Sequence, residues 1–128
     1  MAAAFALGAE GVQMGTQMLS CLESPVHMNW KEAIVNARET DTIFLNQKHS
    51  PALRALRTER SERLADMEEN IFGEFGDPQK LYFGGDMTAA IALSGQVAGR
   101  IDAIRPIAEI IGETVEEFSK TIDRLSNG

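Results

Sequence analysis

A chain of 128 residues, 44% hydrophobic and 24% charged, has the length and composition of one globular unit able to bury a core. Its formal charge of −7 argues against nucleic acid and against an anionic membrane as main partners, since both reward clustered Lys and Arg. The single cysteine, Cys21, allows no internal disulfide and no cysteine-rich metal site, and it fits a reducing, cytoplasmic compartment.

The opening MAAAFALGAE is apolar, but it lacks a basic first stretch and is too short to cross a bilayer. It reads as a buried helix up to Leu7, with Gly8 in the left-handed position beyond its end. GVQM follows, and residues 12–14 read as a short buried strand that drops at once onto Gly15 and Thr16. Ser24-Pro25 has the form of an N-cap and first helical residue, and Val26, Trp30, Ile34 and Ala37 recur at helical spacing as one apolar stripe. TIFL, Thr42 to Leu45, is the second candidate strand, and NQKHS is a loop.

Ser50-Pro51 repeats the helix-start signature. Leu53, Leu56, Leu64 and Met67 then predict the buried face of a surface helix. Arg54, Arg57, Arg60 and Arg63, interleaved with Glu59 and Glu62, form its solvated face. Asp77-Pro78 starts a short helix, and MTAAIALSGQVAG, after Gly84 to Asp86, predicts a small-residue helix suited to close packing. The last helix is expected to begin at Thr114 with Glu117 completing a capping box, and to bury Val115, Phe118, Ile122 and Leu125.

This reading is mostly helical with one or two short strands, and it leaves GVQM short of partners. A buried strand must hydrogen-bond to neighbours, and only TIFL is on offer. A helix, a buried strand, a loop and then mainly helices has the form of the end of a longer βα series. The chain is therefore expected to be a C-terminal portion of something larger, or to pair with another chain. In that division, residues 1–23 make the last helix–strand–loop unit and residues 24–128 a helical region.

Gly15 lets a backbone approach a ligand closely, successive amides there can point at a phosphate, and Thr16 adds a hydroxyl. A plain strand-to-helix turn uses the same Gly-Thr pair. His27 sits four residues after Glu23, but two ligands do not make a zinc site, so packing or capping is its expected role. His49 reads as a loop residue, Cys21 as a small buried hydrophobe, and Met14 and Met18 as packing residues by default. No metal site is expected.

MAAAFALGAEGVQMGT followed by ESPVHMNWKEAI resembles the nitronate monooxygenase family, formerly the 2-nitropropane dioxygenases, which includes the FMN-dependent enoyl-acyl-carrier-protein reductases of type II. The likeness continues through RETDTIFL, PALRALRTE and SGQVAGRI, in order along most of the chain. The resemblance implies an FMN-binding (β/α)8 barrel, an α/β fold, in which GVQMGT is the eighth strand and the start of its loop. It implies that Gln13, Met14, Gly15 and Thr16 hold the flavin phosphate, and that Gly95 and Gln96 lie toward the flavin ring or the substrate. Close helix packing through small residues explains SGQVAG equally well.

Many members follow Gly-Thr with arginine where this chain has Gln17, and the family's catalytic histidine belongs to a segment earlier than this chain. No catalytic residue is therefore assigned here. The implied activity is oxidation of alkyl nitronates, a small-molecule substrate, by molecular oxygen. The alternatives are reduction of enoyl thioesters with a nicotinamide donor, or a non-catalytic truncated or helical interaction module. An uncovered barrel face further predicts self-association.

Overall fold

The computed structural model describes residues 1–127. Six helices and one strand pair follow in order: α1 (Ala2–Ala6), α2 (Thr16–Leu19), α3 (Met28–Val35), β1 (Thr42–Leu45), β2 (Leu53–Leu56), α4 (Glu59–Ala65), α5 (Pro78–Tyr82) and α6 (Ile107–Ser126). Short 3₁₀ turns occupy Ile71–Glu74 and Gln96–Arg100.

The alanine run forms α1, and Gly8 follows it at φ +95°. The helix buries no residue, however, and Leu7 is 90% exposed, against the expectation of a buried helix. Residues 11–14 do not form the expected strand. No other segment lies in register beside them, and an apolar run without a ladder partner has nothing to hold it extended.

His27, not Ser24, caps α3, its Nδ1 accepting from the Asn29 amide at 3.1 Å. The stripe that α3 turns inward is the expected one: Trp30 and Ile34 are fully buried, with Val26 ahead of the helix and Ala37 behind it packed alongside.

TIFL forms β1 as expected, but its partner is β2, antiparallel, with Thr42 opposite Leu56 and Leu45 opposite Leu53. β2 replaces the helix predicted after Ser50-Pro51. The three-residue spacing of Leu53 and Leu56 suits a helix, but cross-strand bonds to β1 and Asn46 in the left-handed region at φ 58° turn the chain back as a strand. Asn46 fixes that return, donating from Nδ2 to the Pro51 carbonyl and accepting at Oδ1 from the Ile71 amide. The arginine series is split by the same change. Arg54 lies on β2 over the Phe44 ring, whereas Arg60 reaches from α4 to the Thr88 and Glu74 carbonyls. Helix α4 starts at Thr58, which exchanges bonds with Ser61 in a capping box.

The small-residue run predicted as a helix is instead an extended layer. Leu56 donates to the Ala92 carbonyl and Ser94 to the Arg54 carbonyl on one side, while Ile91 donates to the Phe75 carbonyl on the other. Backbone pairing on both edges overrides the helical preference of alanine. Ala90 and Ala92 enter one buried cluster with Trp30, Ile34, Leu56 and Leu81; Ile91 enters a second with Leu45, Ala55, Leu64 and Ile71. Gly76 is required where this layer crosses the chain before α5, because a Cβ there would lie 2.0 Å from the Ala89 carbonyl oxygen. Asp77 caps α5 ahead of Pro78, as the sequence predicts.

Helix α6 begins at Ile107, seven residues before Thr114, and no capping box forms there. Thr114 instead donates back to the Ile110 carbonyl. Of its apolar residues only Ile110 is buried. Phe118 rests half-buried on Phe5 of α1 with ring centroids 5.0 Å apart, while Val115, Ile122 and Leu125 are exposed, against the buried stripe expected. Among the described residues nothing covers Val115, Ile122 or Leu125. No helix among the described residues is long and apolar enough to cross a membrane.

Candidate functional site

The turn at Gly15 starts α2, and the first amides of a helix have no partner within it. Among the described residues the amides of Gly15, Thr16, Gln17 and Met18 donate to no group of the chain. Gln13, Met14, Gly15, Thr16 and Gln17 line one side of a cleft of about 860 Å³. Its far side is Val97, Asp102 and Arg105 together with Ile110, Glu113, Thr114 and Glu117 of α6. A Cβ on Gly15 would meet no atom within 4 Å, so the backbone there opens into free space.

Thr16 is buried, and its Oγ1 accepts from the Gly95 amide at 2.6 Å, across 79 residues of chain. Gly95 opens the 3₁₀ turn Gln96–Arg100, and a Cβ added to it would lie 3.1 Å from that same oxygen. The glycine therefore allows the close approach that the hydrogen bond requires. A smaller groove of about 420 Å³ shares Gly15, Thr16 and Gly95, with Leu19, Leu53 and Leu93 in its walls beside Arg54 and Ser94.

Of the residues singled out from sequence, the fold thus gathers Gln13, Met14, Gly15 and Thr16 at one cleft and ties Gly95 to Thr16. Gln96 is exposed and does not line the cleft.

The α6 side carries charge of both signs. Arg105 donates from Nη2 to Glu113 Oε2, and that hydrogen bond is the main reason its guanidinium is held above its ordinary value. Asp102 and Glu117 add negative charge to the same wall.

His27 serves as the α3 cap and lies outside the cleft, and His49 meets the Glu68 carbonyl at 2.8 Å. Cys21 is buried. No group of three or more potential metal ligands occurs among the described residues.

Sequence reasoning missed the α6 wall and what anchors it. Glu23 accepts the Ile107 amide at 2.9 Å, capping α6 from 84 residues away, and Leu22 donates to the Arg105 carbonyl. No local signal marks a cap at that separation. Nor does any local pattern single out Lys31, which the fold buries on α3.

A protein-family model described as nitronate monooxygenase matches residues 1–117. Probable nitronate monooxygenases of Staphylococcus haemolyticus and Staphylococcus saprophyticus are 38% and 35% identical over 51% and 56% of this chain, which spans 18% and 20% of their lengths. FabK from Thermotoga maritima superposes over 99% of this chain and 42% of its own, with a TM-score of 0.87 and 38% identity. A mutant of the same FabK gives a TM-score of 0.82 and 37% identity over 99% and 40%. The chain thus covers about a fifth of the curated relatives it matches and two-fifths of the solved ones. With the family model running through nearly all of the sequence, the chain belongs to the nitronate monooxygenase family.

Proposed function

We propose that this chain supplies the phosphate end of the flavin site in an FMN-dependent oxidoreductase, a (β/α)8 barrel protein that oxidises alkyl nitronates with molecular oxygen. In that reading residues 1–23 are the last barrel unit and residues 24–128 a region packed around the cleft. The unengaged amides of residues 15–18, opening onto a cleft of about 860 Å³, carry the reading.

The residues present fit an anionic group. Four free N–H groups at a turn satisfy the oxygens of a phosphate without any basic side chain. Gly15 leaves room for it, and Gln13 and Met14 flank it. The Thr16 hydroxyl, already accepting from Gly95, keeps its own proton to donate. Asp102 and Glu117 on the facing wall oppose a dianion, and Arg105 offsets only Glu113. Binding to this chain alone is therefore weak and depends on the rest of the nucleotide.

When bound, FMN supplies the electron chemistry, and the protein's share is to hold it and exclude water. Gly95, tied to Thr16, keeps the Gln96 turn against the phosphate loop and thereby sets the approach to the ring. The histidine that handles protons in the family lies in an earlier segment by resemblance, and no residue here takes its place.

Titration of flavin fluorescence with the 128-residue chain tests the assignment. FMN is expected to bind at least about tenfold more tightly than riboflavin, which lacks the phosphate, a difference of about 1.4 kcal/mol. Equal affinities would remove the phosphate from the argument.

A second reading has its own support. The FabK structures match 99% of the chain, whereas the curated nitronate monooxygenases align with about half of it. FMN-dependent reduction of enoyl thioesters uses the same features. Oxygen uptake with an alkyl nitronate, compared with nicotinamide oxidation by an enoyl thioester, separates the two in protein purified with its flavin. A third reading, a non-catalytic module, requires that flavin leave the chain's fluorescence and stability unchanged.

A further inference from the structure

Lys31 is the charged residue that this fold buries: it is 3% exposed, and no other charged side chain among the described residues falls in the buried set. Its ammonium donates to the Leu22 carbonyl at 3.0 Å and the Ser24 carbonyl at 2.7 Å, and among the described residues it forms no ion pair. Burying an ammonium is costly unless its protons are satisfied, so these two bonds hold the loop firmly to α3.

The residue between the two gripped carbonyls is Glu23. Its Oε2 accepts the Ile107 amide, and the neighbouring Leu22 amide donates to the Arg105 carbonyl. Those are the contacts that seat the start of α6, since Pro106 offers no side-chain cap. Helix α6 in turn provides Ile110, Glu113, Thr114 and Glu117 to the cleft, opposite Gly15 and Thr16.

We propose that Lys31 is a positioning residue for the cleft: by gripping the carbonyls on either side of Glu23 it holds that carboxylate at the head of α6, and so sets the gap between the α6 wall and the Gly15–Thr16 wall. The part of this that concerns ligand binding rests on the phosphate reading above. Lys31 touches no ligand. Its charge matters because a neutral, apolar side chain of similar length fills the same space without holding either carbonyl.

Amide exchange and flavin titration on the 128-residue chain test it together, with Lys31→Met, Glu23→Ala, Glu23→Gln and the double variant Lys31→Met/Glu23→Ala. Lys31→Met is expected to speed exchange at the Leu22 and Ile107 amides by about tenfold or more, while the core amides of Leu56 and Ile91 change by less than about threefold. The preference for FMN over riboflavin should fall by about fivefold or more, with riboflavin affinity little changed.

Glu23→Ala should reproduce both effects and Glu23→Gln, which keeps an acceptor oxygen, should largely escape them. The double variant should be no worse than either single one, as expected of two residues acting in series. Additive losses, or exchange that rises equally throughout the core, would mean that Lys31 merely stabilises the fold, and would overturn the proposal. A wild-type chain with no preference for FMN overturns the phosphate reading and the ligand-binding part with it; the exchange coupling then decides the α6 anchor alone.

Discussion

Thr16 is the residue on which the two candidate segments converge. Its side chain is buried, its oxygen accepts from Gly95, and its backbone amide faces the cleft without a partner. Thr16→Val keeps the volume and removes the acceptor, leaving the Gly95 amide unsatisfied. A loss of about 1–3 kcal/mol in urea unfolding is expected, with Thr16→Ser within about 0.5 kcal/mol of wild type. Gly95→Ala should act in the same direction, because its new methyl would press on the oxygen at 3.1 Å.

A titrating residue gives a signed expectation. Asp86 accepts from both the amide and the hydroxyl of Thr88, the hydroxyl bond being the larger cause, and its carboxyl is held below the usual aspartate range. A depressed carboxyl contributes stability that is present above its unfolded value and lost as pH falls through the folded one. Stability from this group should therefore be constant from neutral pH down to about 4 and decline only below that. Asp86→Asn should flatten the acid limb of a stability–pH curve, and an unchanged limb would show that Asp86 contributes nothing. Gln13, Met14, Gly15 and Thr16 were singled out by the family resemblance, since a Gly-Thr pair by itself also reads as a plain strand-to-helix turn; the Thr16–Gly95 bond was not legible, since no spacing rule links residues 79 apart.

Among the elements, some with local signals came out where the sequence put them, although the Ser50-Pro51 helix start and the Thr114 capping box did not. Asp77-Pro78 heads α5, TIFL is β1, and the Trp30 stripe is the buried face of α3. The α3 cap moved from Ser24 to His27, whose Nδ1 must stay unprotonated to accept from Asn29. His27→Ala should cost about 1 kcal/mol of stability. Thermal unfolding at neutral pH measures it, and a null result would mean water caps the helix equally well.

Two of the misread elements failed for one reason. β2 and the 89–94 layer are short, alanine- and leucine-rich runs whose period suits a helix, and each is held extended by backbone bonds to another segment, β2 as a strand against β1 and the layer by bonds to β2 and to Phe75. Helix α6 shows the complement: its apolar repeat was visible, but its start was set by Glu23, which no local pattern announces.

At the scale of the molecule, apolar surface is unevenly placed. Leu7, Val12, Val97, Ile111, Val115, Ile122 and Leu125 are all exposed, four of them on α6 and two on the segment between α1 and α2. The sequence predicts Val115, Ile122 and Leu125 as a buried stripe and predicts a barrel face left uncovered; among the described residues nothing covers these side chains. The chain by itself should associate at micromolar concentration, and Val115→Glu with Ile122→Lys should shift sedimentation toward monomer without lowering the unfolding midpoint. A monomer at all concentrations would contradict this.

The 89–94 layer has a mechanical consequence. Ala90 and Ala92 face one buried cluster and Ile91 the other, and both its edges are hydrogen-bonded. A slip of one residue would drive the isoleucine into the space of an alanine while leaving a void behind it. Neither cluster can therefore loosen while its neighbour stays shut, so both should melt in one cooperative step, with calorimetric and van't Hoff enthalpies in agreement.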